Sequence, residues 1–194
     1  MSSIDLVQAS FAASIATKSK AVNELAAVIV KASEMMVHSL KSGGKILSCG
    51  NGGSACDAMH FTAEILNRFQ MERDGLPAYA LTADTATLTA IANDYSYEEV
   101  FARQIKALGH PGDILLAIST SGNSKNILRA VLAAQQNHMH VVALTGNSGG
   151  ALKNMLQSQD LNICVTATST PRIQETHILV IHCLCEIIDK LFFS

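Results

Sequence analysis

Five short apolar runs, none of them alternating between polar and apolar residues, constrain this chain more than any other feature. They lie at 45–49, 78–82, 113–118, 140–144 and 161–165, with cores such as Ile114-Leu115-Leu116-Ala117-Ile118 and Val141-Val142-Ala143-Leu144. A strand with one wet face alternates, whereas a strand buried on both faces does not. Segments of helical character lie between the runs, at 54–70, 85–93 with 97–108, 122–137, 149–156 and 171–192. Parallel neighbours need right-handed crossovers, so the order of segments predicts a three-layer α/β/α, doubly wound, five-stranded parallel sheet. Its ligand crevice is expected at the carboxyl ends of the strands, where the winding changes direction.

Upstream, residues 4 to about 41 contain no glycine or proline before Gly43-Gly44, and Val22, Leu25, Ala26, Ile29, Val30, Ala32 and Met36 recur at helical spacing. Two helices are expected there, breaking near Thr17–Ala21. The second is apolar over more than one face, which favours a subunit interface. With 194 residues, 48% of them hydrophobic, the chain is expected to form one domain, a helical segment over 1–42 and an α/β core over 43–194. A net charge of −2 without a basic run argues against a nucleic-acid partner. Mean hydropathy is high at +0.25, yet no apolar stretch is long enough to span a bilayer, and no secretory pattern opens the chain. The expectation is a cytoplasmic oligomer with no membrane partner. Cys49, Cys56, Cys164, Cys183 and Cys185 read as reduced apolar filler, and Cys183-x-Cys185 lacks the spacing of a redox or zinc motif.

The first apolar run opens into Gly50-Asn51-Gly52-Gly53-Ser54 and then a helix. Glycines let the backbone approach a ligand, and a strand feeding a helix N-terminus through such a turn makes an anion site. The turn also satisfies G-x-G-x-x-A, but the acidic partner of a dinucleotide site belongs about 20 residues on, and Asp84 lies further away. A nucleotide cofactor therefore ranks below a phosphosugar. The turn after the third run, Ser119-Thr120-Ser121-Gly122-Asn123-Ser124, carries four hydroxyls where a helix cap needs one, so it reads as a phosphate cradle. Thr145-Gly146-Asn147-Ser148-Gly149-Gly150 reads as a plain strand-to-helix connection. Asn93-Asp94 ends a helix within reach of the same crevice, though alone it is an ordinary turn.

His60 and Glu64 stand at i and i+4 on one helical face. Spacing leaves three roles open: a surface pair, two ligands of a shared metal, or a general base beside an imidazole. The last helix places Gln174, Glu175, His177 and His182 among Ile173, Ile178, Leu179, Val180 and Ile181. A histidine within ILVIHCLC is costly to bury unless it is hydrogen-bonded, ligated or catalytic. Gln174 and His182 are separated by roughly 12 Å of helix rise, a stretch for one metal.

Together GNGGSACDAMHFTAE, AISTSGNS and RIQETHILVIH resemble a sugar isomerase (SIS) domain of the phosphoheptose isomerase family, over nearly the whole chain. The resemblance implies a flavodoxin-like SIS fold and an aldose–ketose isomerase. The reaction it implies interconverts sedoheptulose 7-phosphate and D-glycero-D-manno-heptose 7-phosphate, towards the heptoses of bacterial lipopolysaccharide. It further implies a cytoplasmic homotetramer with active sites at subunit interfaces and one zinc ion per subunit. At matching positions, His60, Glu64, Gln174 and His182 would form the metal set. Asn51, Gly52, Gly53, Glu64, Asn93, Asp94, Ser119, Thr120, Ser121, Ser124 and Gln174 would hold substrate. Some members carry an acidic residue before the RIQ arginine where this chain has Pro171, so no contact is assigned there.

Isomerisation moves a proton between adjacent carbons through an enediol, which a carboxylate and an imidazole can shuttle. Glu64 is assigned as base and His182 as acid/base, with zinc able to polarise the oxygens. The competing expectation is a non-catalytic SIS tetramer that binds the replication initiator protein DnaA and regulates chromosome replication. That branch lacks the carboxylate at Glu64 and the histidine at His182, and this chain has both.

Overall fold

The computed structural model describes residues 1–193. The chain opens with α1 (Ser3–Lys41), capped by a reciprocal pair in which the Asp5 amide donates to Ser2 Oγ and the Ser2 amide donates to the Asp5 carboxylate. One helix of 39 residues replaces the two expected with a break near Thr17–Ala21. Nothing in that stretch stops a helix: Thr17 returns its hydroxyl to the Ala13 carbonyl at 2.9 Å and stays within the ladder. The helix ends where Gly43 takes φ 84°. Its second half buries Ala21, Leu25, Ala32, Met36 and Leu40 against the C-terminal helix, while Ile4, Phe11 and Ile15 in its first half are exposed.

Five strands follow, β1 (Ile46–Cys49), β2 (Ala78–Ala80), β3 (Ile114–Ser119), β4 (His140–Gly146) and β5 (Leu161–Val165). They pair in parallel in the order β2-β1-β3-β4-β5, as the five non-alternating runs require. The intervening helices are α2 (Gly53–Leu66), α3 (Thr85–Asp94), α4 (Ala102–Leu108), α5 (Lys125–Gln136) and α6 (Gly150–Met155), with a 3-10 turn at Tyr97–Glu99. The chain closes with α7 (Thr170–Phe193). Expected helix ends move by a few residues. The largest changes are at α2, which stops at Leu66 instead of Gln70, and at the expected helix over 97–108, which divides into the 3-10 turn and α4.

Every residue of β1 and β3 is buried, and successive residues serve opposite cores. Ile46, Leu116, Ile118, Val142 and Leu144 pack beneath α1, α2 and α7 with Met36, Phe61 and Leu184. Leu47, Leu115, Ala117, Val141 and Ala143 pack beneath α4 and α5 with Phe101, Ile105, Ile127 and Val131. The winding runs from β1 to β2 on one side and to β3 on the other, so the switch point falls between β1 and β3. Both glycine- and hydroxyl-rich turns leave the carboxyl ends of those two strands. The three-layer, doubly wound sheet is as the sequence predicts.

Candidate active site

The turn after β1 is shaped by its glycines. Gly52 takes φ 55° and ψ −123° as the residue before α2, a conformation that side chains disfavour. A Cβ on Gly53 would run into the Gln174 amide of α7. Asn51 bridges to the neighbouring turn: its amide donates to Asn126 Oδ1 at 2.9 Å and its carbonyl accepts from Asn126 Nδ2 at 2.8 Å. The Tyr97 hydroxyl also donates to Asn51 Oδ1, at 3.1 Å.

After β3, Ser124 precedes α5 without spending its side chain on a cap; it accepts instead from Ser119 Oγ at 3.2 Å. Ser121 Oγ accepts the Asn123 amide, and Thr120 is partly open to solvent. Hydroxyls therefore lie at the head of an amphipathic helix, an end whose free amides and dipole favour an anion. The turn after β4 does more than connect. Gly122 (φ 64°) packs its Cα against the Gly149 carbonyl, and the Leu152 amide donates to the Gly122 carbonyl at 2.9 Å. It braces the cradle from behind.

Asn93 and Asp94 lie at the exposed end of α3 and bond to one another at 2.9 Å, with Tyr97 three residues beyond. Asp84 caps α3, accepting the Thr87 hydroxyl and amide, and these bonds hold its carboxyl below the usual range. Its carboxylate is engaged in capping the helix.

Further along α2, His60 meets His182 of α7 with Nε2 to Nε2 at 3.1 Å, and Glu64 Oε1 lies 3.4 Å from His60 Nε2. In the neutral pair one Nε2 donates and the other accepts. Phe69 stacks on the His182 ring at 5.7 Å between centroids and limits its swing. Asp57, one turn before His60, is buried, and that burial pushes its carboxyl up to about 6 against the opposing pull of His60. His182 itself is only partly buried. The cost of a buried histidine falls on His177 instead, which is fully enclosed, hydrogen-bonded to the Thr145 carbonyl at 2.9 Å, and pushed by burial down to about 4.

Two imidazole nitrogens and a carboxylate oxygen are donor types that zinc takes. Of the four residues expected to share an ion, three gather and one does not. Gln174 sits at the head of α2 beside Gly53, two helical turns from His182, so one α7 helix cannot bring both to one point. Among the described residues, no group of three or more His, Cys, Asp or Glu side chains is placed to hold a metal ion. Within one chain the donors fit zinc in kind, but the set is incomplete.

Arg73 is a residue that spacing could not reveal. Its guanidinium donates to Asp189 Oδ1 at 2.7 Å, to the Glu64 carbonyl at 2.9 Å and to the Ile65 carbonyl at 2.9 Å. It closes the C-terminal end of α2, the end with no basic residue of its own, and ties the turn bearing Glu64 to α7. Asn126, Tyr97 and Phe69 carry no motif either. The five cysteines are free, and burial pushes the Cys49 and Cys185 thiols up, away from the reactive thiolate.

The SIS domain family model matches residues 10–146, the part of the chain that carries the hydroxyl- and glycine-rich turns at the switch point of the parallel sheet. The chain is 59% identical over 190 residues to the phosphoheptose isomerase of Thiobacillus denitrificans, covering 98% of this chain and 96% of that one. Among solved structures it is similar to a phosphoheptose isomerase from Francisella tularensis, with TM-score 0.96, 49% identity and coverage of 98% and 100%. It is likewise similar to that of Neisseria gonorrhoeae, with TM-score 0.93, 49% identity and coverage of 97% and 100%. The chain belongs to the phosphoheptose isomerase family, a family of sugar-phosphate isomerases.

Proposed function

We propose that this protein interconverts sedoheptulose 7-phosphate and D-glycero-D-manno-heptose 7-phosphate through an enediol, towards the heptoses of lipopolysaccharide. The observation that carries the reading is the meeting of His182 with His60, one turn from Glu64, on the helix whose head forms the first anion turn. Ser119, Thr120, Ser121 and Ser124 take the phosphate, with the helix amides behind them. Asn51, Gly52, Gly53, Asn93, Asp94 and Gln174 line the sugar's path. Holding the phosphate end spends binding energy on placing the reacting end.

Glu64 takes the proton from the carbon beside the carbonyl. His182 moves protons on and off the neighbouring oxygens, held in orientation by Phe69 and by its bond to His60. His60, Glu64 and His182 would hold one zinc ion per subunit, which when bound supplies Lewis-acid polarisation of the substrate oxygens. Gln174 joins that set only where two subunits share a site. We therefore read the protein as a cytoplasmic homotetramer, each chain a single SIS domain with residues 1–42 as helical arm and 43–194 as core. The exposed apolar first half of α1, with Ile4 70% and Phe11 69% exposed, supports burial in such an assembly. Among the described residues no helix is long and apolar enough to cross a membrane. The DnaA-binding alternative has no support: the relatives above carry the isomerase name, and Glu64 and His182 are both present.

The test is turnover of sedoheptulose 7-phosphate by the purified protein, with and without chelator and added zinc, beside Glu64→Gln. Loss of at least about 10²-fold in Glu64→Gln is expected for a removed general base. Absence of turnover by the unaltered protein with every metal tried overturns the proposal.

A further inference from the structure

We infer that Asn126 and Tyr97 are positioning residues: they lock the Asn51 side chain, and through it hold the glycine turn after β1 in register with the hydroxyl turn after β3. The inference rests on the reading that these turns hold a phosphosugar.

Within Gly50-Asn51-Gly52-Gly53, Asn51 carries the one side chain. Gly52 has open space around its Cα, and glycine backbones lose more freedom on ordering than any other. Backbone bonds tie the turn to the head of α2, from the Ser54 amide to the Asn51 carbonyl and from the Ala55 amide to the Gly52 carbonyl, so the side chain that can tie it to other segments is that of Asn51. The grip is complete on the acceptor side: Asn51 Oδ1 receives Asn126 Nδ2 and the Tyr97 hydroxyl, which fills both lone pairs. On the donor side, one N–H goes to Asn126 Oδ1 and one remains.

Asn126 is 4% exposed and stands in the first turn of α5, two residues past Ser124, where an asparagine ordinarily turns to its own helix. Here it reaches 75 residues back along the chain to Asn51. Tyr97 comes from a third segment, three residues after Asp94; the residue is 59% exposed and its hydroxyl is engaged with Asn51. One amide thus joins three segments that border the crevice. With its acceptor already filled, Asn51 has one N–H left to offer a sugar oxygen. It presets the amides at the head of α2 so that the anion meets an ordered turn.

The experiment compares Tyr97→Phe, Asn126→Ala, Asn51→Ala and the double variant Asn51→Ala/Asn126→Ala. The readouts are KM and kcat for sedoheptulose 7-phosphate, and hydrogen exchange of the amides over 50–56 in the ligand-free protein. KM is expected to rise about tenfold in Asn126→Ala and two- to fourfold in Tyr97→Phe, with kcat within about threefold of the parent. Asn51→Ala and the double variant should match each other, and exceed Asn126→Ala by no more than the two- to fourfold of Tyr97→Phe, because Asn126→Ala leaves the Tyr97 bond in place. Exchange over 50–56 should quicken in all four variants. An Asn51→Ala penalty well above those of Asn126→Ala and Tyr97→Phe combined, or a double variant well above Asn51→Ala, would make direct substrate contact the main role of Asn51 and overturn the inference. Unchanged exchange in Tyr97→Phe, which alters an exposed residue and leaves the fold intact, overturns it as well. Exchange needs no turnover, so the clamp is judged even if the unaltered protein proves inactive, an outcome that refutes the proposed function instead.

Discussion

Asp189→Asn should destabilise this protein far more than its small change in shape suggests. Asp189 and Arg73 face each other at 2.7 Å with side chains 6% and 1% exposed, so neither charge has water in reserve. Removing one partner of a buried pair costs about 3–5 kcal/mol, because the remaining charge stays in a dry site. Asparagine can still accept from Arg73 Nε, and the guanidinium keeps the Glu64, Ile65, Asn67 and Asp74 carbonyls, which favours the lower end, about 3 kcal/mol. For a chain of this length that corresponds to a fall in Tm of roughly 6–12 °C. The assay is thermal unfolding followed by circular dichroism at one fixed protein concentration, since assembly contributes to the midpoint. A shift below about 2 °C would refute the reasoning. The apolar double variant Arg73→Met/Asp189→Leu sharpens it. If the pair were only two charges in oil, that variant would regain the parent stability. It should instead remain destabilised, because the carbonyls at the end of α2 lose their donor. Full recovery would show that Arg73 does not hold the turn bearing Glu64.

The remaining predictions concern neighbouring parts of the site. His177 has its pKa lowered to about 4 by burial, so as pH falls the unfolded chain takes up the proton first; its stabilising contribution is present above about pH 6.5 and lost towards pH 4, about 3 kcal/mol in all. His177→Gln keeps a donor for the Thr145 carbonyl and should flatten that part of the urea-midpoint profile between pH 7 and 4.5; an unchanged slope refutes it. Gly122→Ala forces a side chain into φ 64° against the Gly149 carbonyl, and should cost at least about 2 kcal/mol in urea unfolding and weaken phosphosugar binding in calorimetry. Gly53→Ala meets only the flexible end of Gln174, so the fold should survive while kcat/KM falls about tenfold or more through the displaced amide. Parent kinetics in that variant would remove Gln174 from the site.

The sequence by itself determined the sheet and its turns. Ile114 to Ile118 and Val141 to Leu144 are apolar at every position, which only a strand covered on both faces tolerates, and each is buried throughout. The four hydroxyls from Ser119 to Ser124 exceed what a cap requires, and Ser124 indeed does not cap. These are properties of a few consecutive residues, and local periodicity encodes them. The expected break in α1 had no glycine or proline behind it, and the helix runs through. What only the tertiary structure decided are the meetings between distant segments. His60 with His182 spans 122 residues, Arg73 with Asp189 spans 116, and Asn51 with Asn126 spans 75. Spacing along one helix states which residues share a face, but not which residue of another helix that face meets. The register of α7 against α2 sets that. The same register put His182 opposite His60, carried Gln174 to the head of α2, and made His177 rather than His182 the buried histidine of α7.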